Sequence, residues 1–559
     1  MTDLIDTIRD SVIGTDHAVP GPFGPRRVTY ADYTASGRSL SFIERYIAEV
    51  VLPLYANTHT ESSGTGRQTS RFREDAREII RRCVHATDEH AVLFVGSGCT
   101  GAIDRMIRVL GLSLPDRLDA RYHFSDQIPD RERPVVFIGP FEHHSNELPW
   151  RESVAEVVKI GEDRDGHIDL EHLEAELVRY QQRPLRIGSF SAASNVTGII
   201  SDTANIARLL HRYGALSFWD FAAAAPYVSI DMTMEDEPDA YKDAIFISTH
   251  KLIGGPGTPG LLIARKALFT NAVPGLPGGG TVRFVNANEH EYLTDIEHRE
   301  EGGTPAIVES IRAGLVFQLK EAVGTERIRA IEDDLIGRAI SAWRENPNIE
   351  ILGNAAADRL SIVSFVVRHE GQYLHHNFVV SLLNDLFGIQ SRGGCSCAGP
   401  YGHALLGIDT ERSRHLSHEI ALGCEGIKPG WIRVNFNYFL SDTVVEFIID
   451  AVNLVATHGW KLLPWYRFDP GSATWTHVDG KGETPLSLDG VSYANGRMEY
   501  DIDPEIIGEE RLGDYLAEAR SLLEGLNPGD GPAQDDVNAT ASFNDLRWFL
   551  LPNEVRTGG

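Results

Sequence analysis

Apolar positions along the chain follow two rhythms. Short unbroken runs at 91–95, 137–138, 187–190 and 216–219 predict strands buried on both faces, as in a parallel sheet. Between them, 72–85 and 202–213 carry apolar residues at three- and four-residue spacing, which predicts amphipathic helices. The alternation from about Arg27 to Glu300 predicts an α/β unit with a mostly parallel sheet. Helical spacing returns at 306–322, 442–458 and 509–526. Past about Gly459 the texture changes to Gly-, Pro- and Asp-rich turns. There the polar stretch 527–532 predicts a flexible connection, and 548–552 an apolar patch that packs back on the body. No internal repeat is apparent.

Composition narrows the classes. A chain of 559 residues with 42% hydrophobic side chains suggests more than one domain and a sizeable core. Its apolar runs are too short and interrupted for a membrane span, and Met1–Asp6 lacks the basic and apolar regions of a signal peptide. Five cysteines without framework spacing fit a reducing cytoplasm. The 52 basic against 80 acidic residues give a net charge of -28, which repels nucleic acid and anionic membranes. That excess is equally compatible with a salt-adapted source or a basic protein partner.

Chemistry concentrates at the strand ends. Ser248-Thr249-His250-Lys251-Leu252-Ile253-Gly254-Gly255 sets a lysine among hydroxyl and imidazole donors at a glycine-rich turn and reads as a pyridoxal-phosphate attachment site; an ordinary surface lysine before a Gly/Pro loop is the plainer reading. Asp220 ends the apolar run 216–219 and suits either the pyridinium nitrogen of that cofactor or a helix N-cap. The turn Gly96-Ser97-Gly98-Cys99-Thr100 opens a helical pattern, where backbone N–H groups favour an anion. That assigns Cys99 and Thr100 to the phosphate, against a simple tight connection. His143, in Glu142-His143-His144-Ser145-Asn146, has the imidazole to stack on a pyridine ring and shuttle protons. Asn195, in Ser194-Asn195-Val196-Thr197-Gly198, offers an amide to the cofactor's phenolic oxygen.

In this order, the motifs around Thr100, His143, Asn195, Asp220 and Lys251 resemble the class V aminotransferase group of fold-type I pyridoxal-phosphate enzymes. The likeness is strongest to cysteine desulfurases of the SufS type and runs from about Val28 to Ala456. It implies a segment at 1–26, a large cofactor-binding α/β domain at 27–304, a smaller α/β domain carrying a cysteine loop at 305–459, and an extension of unknown role at 460–559. It further implies Lys251 as the Schiff-base lysine, Asp220 as the pyridinium partner, His143 as stacking and acid/base residue and Asn195 as an oxygen ligand. Thr100, Ser248 and His250 would hold the phosphate.

Glu301-Gly302-Gly303-Thr304-Pro305 is similar to the motif whose threonine reaches the phosphate of a neighbouring subunit, so Thr304 implies a homodimer. Arg392-Gly393-Gly394-Cys395-Ser396-Cys397-Ala398-Gly399 resembles the mobile segment of the desulfurase nucleophile, with Cys397 in its place. Flanking glycines give that segment its freedom, and Arg392 favours a thiolate. Cys395 has no counterpart in the motif; it suits a small buried residue, a redox partner of Cys397 or a persulfide-resolving thiol. Arg433 matches the arginine that forks the substrate carboxylate, its alternative being a strand-edge salt bridge. His59, which with Arg392 the resemblance implies as a substrate contact, lies in a stretch similar to the family's Asn-x-His-Arg, though Thr60 replaces the arginine. Ala223 stands where these desulfurases carry a glutamine.

The resemblance therefore implies removal of sulfur from L-cysteine or a close derivative, leaving alanine and a persulfide on Cys397 for a sulfur-acceptor protein. A C–S lyase acting on a cysteine conjugate and a class V aminotransferase or epimerase share Lys251 and Asp220 without needing Cys397. A non-catalytic scaffold leaves the convergent polar groups unexplained.

Overall fold

The structure is a computed structural model that describes residues 3–58, 60–480, 486–502, 505–534, 537, 539–540 and 542–555. Helix α1 (Gly64–Cys83) leads into strand β1 (His90–Val95) and helix α2 (Gly98–Val109). Strand β2 (Val135–Ile138), helix α3 (His144–Arg151) and strands β3 (Glu156–Lys159) and β4 (Arg186–Ser191) follow. Helix α4 (Thr203–Arg212) and strands β5 (Leu216–Asp220), β6 (Ala244–Ser248) and β7 (Gly260–Arg265) complete the larger layer. The seven strands form one sheet in the order β1-β7-β6-β5-β4-β2-β3. Only β7 runs antiparallel to its neighbours, so the sheet is mixed and mostly parallel, as the apolar runs predict.

Strand β1 is an edge strand yet all six residues are buried. An edge exposes unpaired N–H and C=O groups that must be satisfied or covered. Here side chains cover it. Glu297 accepts the Val92 N–H at 2.7 Å and Glu301 accepts the Phe94 N–H at 2.7 Å. From α1, Arg81 donates to the His90 carbonyl at 2.6 Å and Arg77 to the Val92 carbonyl. These arginines also pair with the same carboxylates, Arg81 with Glu297 at 2.7 Å and Arg77 with Glu301 at 3.0 Å.

Charged residues on the buried face of α1 explain where the helix prediction falls short. Periodicity predicts a start near Phe72, but the helix begins at Gly64, capped by the Ser63 hydroxyl. Its inward positions include Thr69, Arg73 and Arg77, which an apolar pattern does not register. Helix α5 (Ile307–Val323) crosses α1 where Gly314 meets Ala76; a Cβ on Gly314 would lie 2.6 Å from that of Ala76.

Helix α6 (Thr325–Arg344) and strands β8 (Ile349–Ile351) and β9 (Ile362–His369) start a second layer. It continues through helix α7 (His376–Phe387), strands β10 (Arg392–Gly394) and β11 (Trp431–Asn435), and helix α8 (Asp442–His458). Its strands run β8-β9-β11-β10. The extension adds a hairpin, β12 (Tyr466–Asp469) with β13 (Thr474–His477), and helix α9 (Leu512–Gly525). The stretch at 527–532 is an ordered turn rather than a free connection, because Asn527 caps it and Gly531 is pressed onto Pro464. The apolar patch packs back as expected: Phe549 is buried, and Trp548 donates to the Ile427 carbonyl at 3.1 Å while stacking on His375 and His376. Among the described residues, no helix is long and apolar enough to cross a membrane.

The Glu301 carboxyl, although penalised by burial, is held down to about 2 by Arg77 and Arg73, against an unpaired value of 4.5. A depressed carboxyl contributes stability that is complete above pH 4.5 and lost as pH falls through about 2. The contribution is about 3 kcal/mol. Urea unfolding between pH 6 and 2 is expected to show that loss in the native protein, and Glu301→Gln to remove that part of the slope.

Candidate active site

A cavity of about 240 Å³ opens where β4, β5 and β6 end side by side, at Ser191, Asp220 and Ser248. Carboxyl ends of parallel strands are where α/β sheets place ligands, because loops and helix starts converge there. The wall includes Lys251, Asp220, His143, Asn195, Cys99, Thr100, Ser248, His250, Arg392, Cys397 and Arg433. Residues separated by more than 300 positions thus meet around one space.

Lys251 is half-buried along this wall, and desolvation pulls its amine below the ordinary lysine range despite Cys99 and Asp220 nearby. Burial pushes the Asp220 carboxyl up. Its Oδ1 accepts the Ala222 N–H at 2.7 Å, so the carboxylate fastens the following turn, which is not the helix the N-cap reading expects, while lining the cavity. Desolvation, with Lys251 second, lowers the His143 imidazole to about 4; desolvation does the same to His250. Both rings are therefore neutral near pH 7. His143 Nδ1 also accepts the Ser145 N–H at 3.1 Å as the N-cap of α3.

The tips of β1 and β6 form a polar cup. The Cys99 N–H donates to Ser248 Oγ at 2.9 Å, and Thr100 and Ser145 share a hydroxyl hydrogen bond at 2.6 Å. Gly98 makes the approach possible: its φ is +54°, and a Cβ there would stand 2.7 Å from Ser248 Oγ.

Arg433 is buried on β11, an interior strand, so the salt bridge that the alternative reading expects is present, with Asp32, but not at a sheet edge. Its Nη1 donates to the Asn195 carbonyl at 3.0 Å and its Nη2 to Asp32 at 2.7 Å. Arg392 donates to the other oxygen of Asp32 at 2.9 Å. Two guanidinium groups thus share one carboxylate, leaving a net positive charge beside the cavity. Asp32 escaped the sequence reading; the only signal was a lone acid after the strand-like Thr29-Tyr30-Ala31.

The cysteine segment is docked over the opening. Cys395 to Ala398 forms a turn closed by the Ala398 N–H on the Cys395 carbonyl at 3.0 Å. Ser396 and Cys397 have φ of 50° and 55°, left-handed values that cost L-residues about 1 kcal/mol each. Three hydrogen bonds hold this shape. Asn195 Nδ2 donates to the Ser396 carbonyl at 2.8 Å, the His144 N–H to the Cys397 carbonyl at 2.8 Å, and the Gly399 N–H to His144 Nε2 at 3.1 Å. The Asn195 amide N–H assigned from sequence to a cofactor oxygen is thereby engaged by the loop, while its Oδ1 is buried with no partner among the described residues. Cys397 is exposed and Cys395 half-buried.

Behind the segment, the His376 ring packs against β10; a Cβ on Gly393 would lie 3.1 Å from it. Trp548 stacks on that ring, and Asn377, abutting Gly393, donates to the Ala473 carbonyl at 2.9 Å. The extension therefore braces the cysteine-bearing strand from behind. Glu142, also missed from sequence, is buried under the site and ties β2 to β4 through Gly139 N–H, Ser191 and Asn146. Thr304 is exposed, bonded to Asn57 at 3.3 Å, and lies outside the cavity wall of this chain. His59 lies outside the described residues.

The sequence model of the family described as Aminotransferase class-V matches residues 29–412. A probable cysteine desulfurase of Halalkalibacterium halodurans is 27% identical over 377 residues, covering 67% of this chain and 84% of that protein. One from Staphylococcus aureus is 27% identical over 402 residues, covering 71% and 88%. Among solved structures, the apo cysteine desulfurase of Thermococcus onnurineus superposes with a TM-score of 0.64 at 21% identity, covering 82% of this chain and 99% of that one. The cysteine desulfurase CsdA of Escherichia coli gives 0.59 at 22%, covering 76% and 93%.

His144→Ala removes the ring acceptor for the Gly399 N–H but leaves the backbone bond to Cys397. Losing one hydrogen bond, about 1 kcal/mol, is expected to raise the rate of Cys397 alkylation by iodoacetamide about fivefold. Peptide mass mapping of the alkylated protein reads the change directly.

Proposed function

The chain belongs to the class V aminotransferase family, and from that premise we propose that it is a pyridoxal-phosphate-dependent cysteine desulfurase that converts L-cysteine to alanine and leaves the sulfur on Cys397. The observation that carries this reading is an exposed thiol, Cys397, held in a turn over the cavity that also contains Lys251, Asp220 and Arg433.

The donor set fits the cofactor. Lys251 offers an amine that burial moves toward neutrality, Asp220 an acid for a ring nitrogen, and Ser248, His250, Thr100 and the turn at Gly98 a phosphate cup that a Cβ would fill. When bound, pyridoxal phosphate withdraws electrons from the Cα of an amino acid. Arg433 has the planar fork for the substrate carboxylate, and its buried Nε has no partner among the described residues. His143, neutral, and Lys251, whose amine burial moves toward neutrality, serve to accept and donate protons beside the reacting carbons. Cys397, as thiolate, attacks the substrate sulfur: the Cβ–S bond breaks, an S–S bond forms, and the substrate skeleton gains hydrogen to become alanine.

The exposed apolar side chains Leu52, Leu54, Tyr55, Phe284 and Val285 support a homodimer in which Thr304 faces the neighbouring cofactor. Five free cysteines suit the reducing cytoplasm, and an exposed persulfide suits transfer to an acceptor protein.

Purified enzyme given excess L-cysteine without reductant is expected to make alanine in a burst of about one per subunit, and Cys397→Ala to lower alanine formation at least about a hundredfold. Alanine formation that survives unchanged in the variant would overturn the persulfide route in favour of a lyase.

A further inference from the structure

Two residues before the proposed nucleophile stands a second thiol that the desulfurase reading leaves idle. The chain has five cysteines; Cys83, Cys99 and Cys424 are buried, and Cys395 is the one other thiol with access to solvent. Cys99 borders the cavity, but burial holds its thiol well above the ordinary range and so disarms it. Cys395 sits at the first position of the turn that displays Cys397 at its third. Two peptide steps of about 3.8 Å each, folded by such a turn, bring the two Cα atoms to about 5.5 Å, inside the disulfide range.

We propose that Cys395 is a resolving thiol that discharges the sulfur carried on Cys397 as sulfide and closes a Cys395–Cys397 disulfide. The proposal rests on the desulfurase reading above. The Cys395 thiolate attacks Sγ of Cys397, the bond to the outer sulfur breaks, and that sulfur leaves as hydrosulfide, taking up the proton already on it. The outer sulfur gains two electrons and the two cysteine sulfurs become a disulfide, so the step balances without an outside oxidant. An external thiol or dithiol reductant then reopens the pair.

The backbone is arranged for this movement. Ser396 and Cys397 occupy left-handed conformations that the docking bonds sustain, and Gly394, at φ 116°, and Gly399 bracket them. The hydroxyl of the linking residue, Ser396, is buried without a partner among the described residues, so the contacts that dock the turn onto the large sheet are those of its carbonyls at 396 and 397 and of the Gly399 N–H. Cys395 packs its side chain along the main hydrophobic core and is half-buried.

The test uses the full-length holoenzyme, oxygen-free, with stoichiometric L-cysteine and no reductant, followed by alkylation and intact mass measurement. The native protein is expected to become lighter by two hydrogens, with one sulfide released per alanine and a Cys395–Cys397 peptide cross-link on mapping. Cys395→Ser is expected to give the same alanine burst, remain heavier by one sulfur at Cys397, and release about tenfold less sulfide. A native protein that keeps the extra sulfur without a cross-link, or equal sulfide release from both proteins, overturns the proposal. Absence of alanine from the native protein overturns the desulfurase reading itself and the proposal with it, and is told apart by that missing product.

Discussion

The site depends on enclosing a lysine amine and a carboxyl together at the ends of adjacent parallel strands. Solvent would keep Lys251 protonated and inert as a nucleophile. Removal from water tips it toward the neutral amine, even with Asp220 close enough to oppose the shift. The same dryness makes Asp220 reluctant to stand alone as an anion. The strands hold these groups because the backbone behind them is sealed. That includes the outer edge of β1, closed by glutamates and arginines from α1 and 296–301.

Much of this was legible in the sequence, and the reason is local. Asp220, His143 and Thr100 each follow a predicted strand within a few residues, so strand prediction also locates the loops that line the cavity. Contacts formed over hundreds of residues were not legible. Asp32 gains its meaning only when β11 and β10 bring Arg433 and Arg392 to it. His144 reads as the neighbour of a stacking histidine until the cysteine turn folds onto it. The start of α1 was hidden because its inward face carries arginines, whose burial is justified by a sheet edge elsewhere in the chain.

The cysteine segment shows opposing terms nearly in balance. Two left-handed residues cost about 2 kcal/mol together. Three hydrogen bonds of about 1 kcal/mol each repay that with little to spare. A segment poised this way stays docked without being fixed. Its anchors come from Asn195, on the loop after β4, and His144, the first residue of α3, so opening does not disturb the strands.

The rear support follows a different logic, because it arrives from far downstream. Trp548 follows Gly394 by 154 residues (548 − 394), and the β12–β13 turn at Ala473 by 79 (473 − 394). At a synthesis rate of about 5–20 residues per second, the strand leading into the thiols waits roughly 8–30 s on the ribosome before the tryptophan that backs it has been translated. Once β11 has been made, the two larger sheets are complete while the cysteine segment still lacks its backing, so a nascent chain exposes these thiols to oxidation after most of its fold has formed.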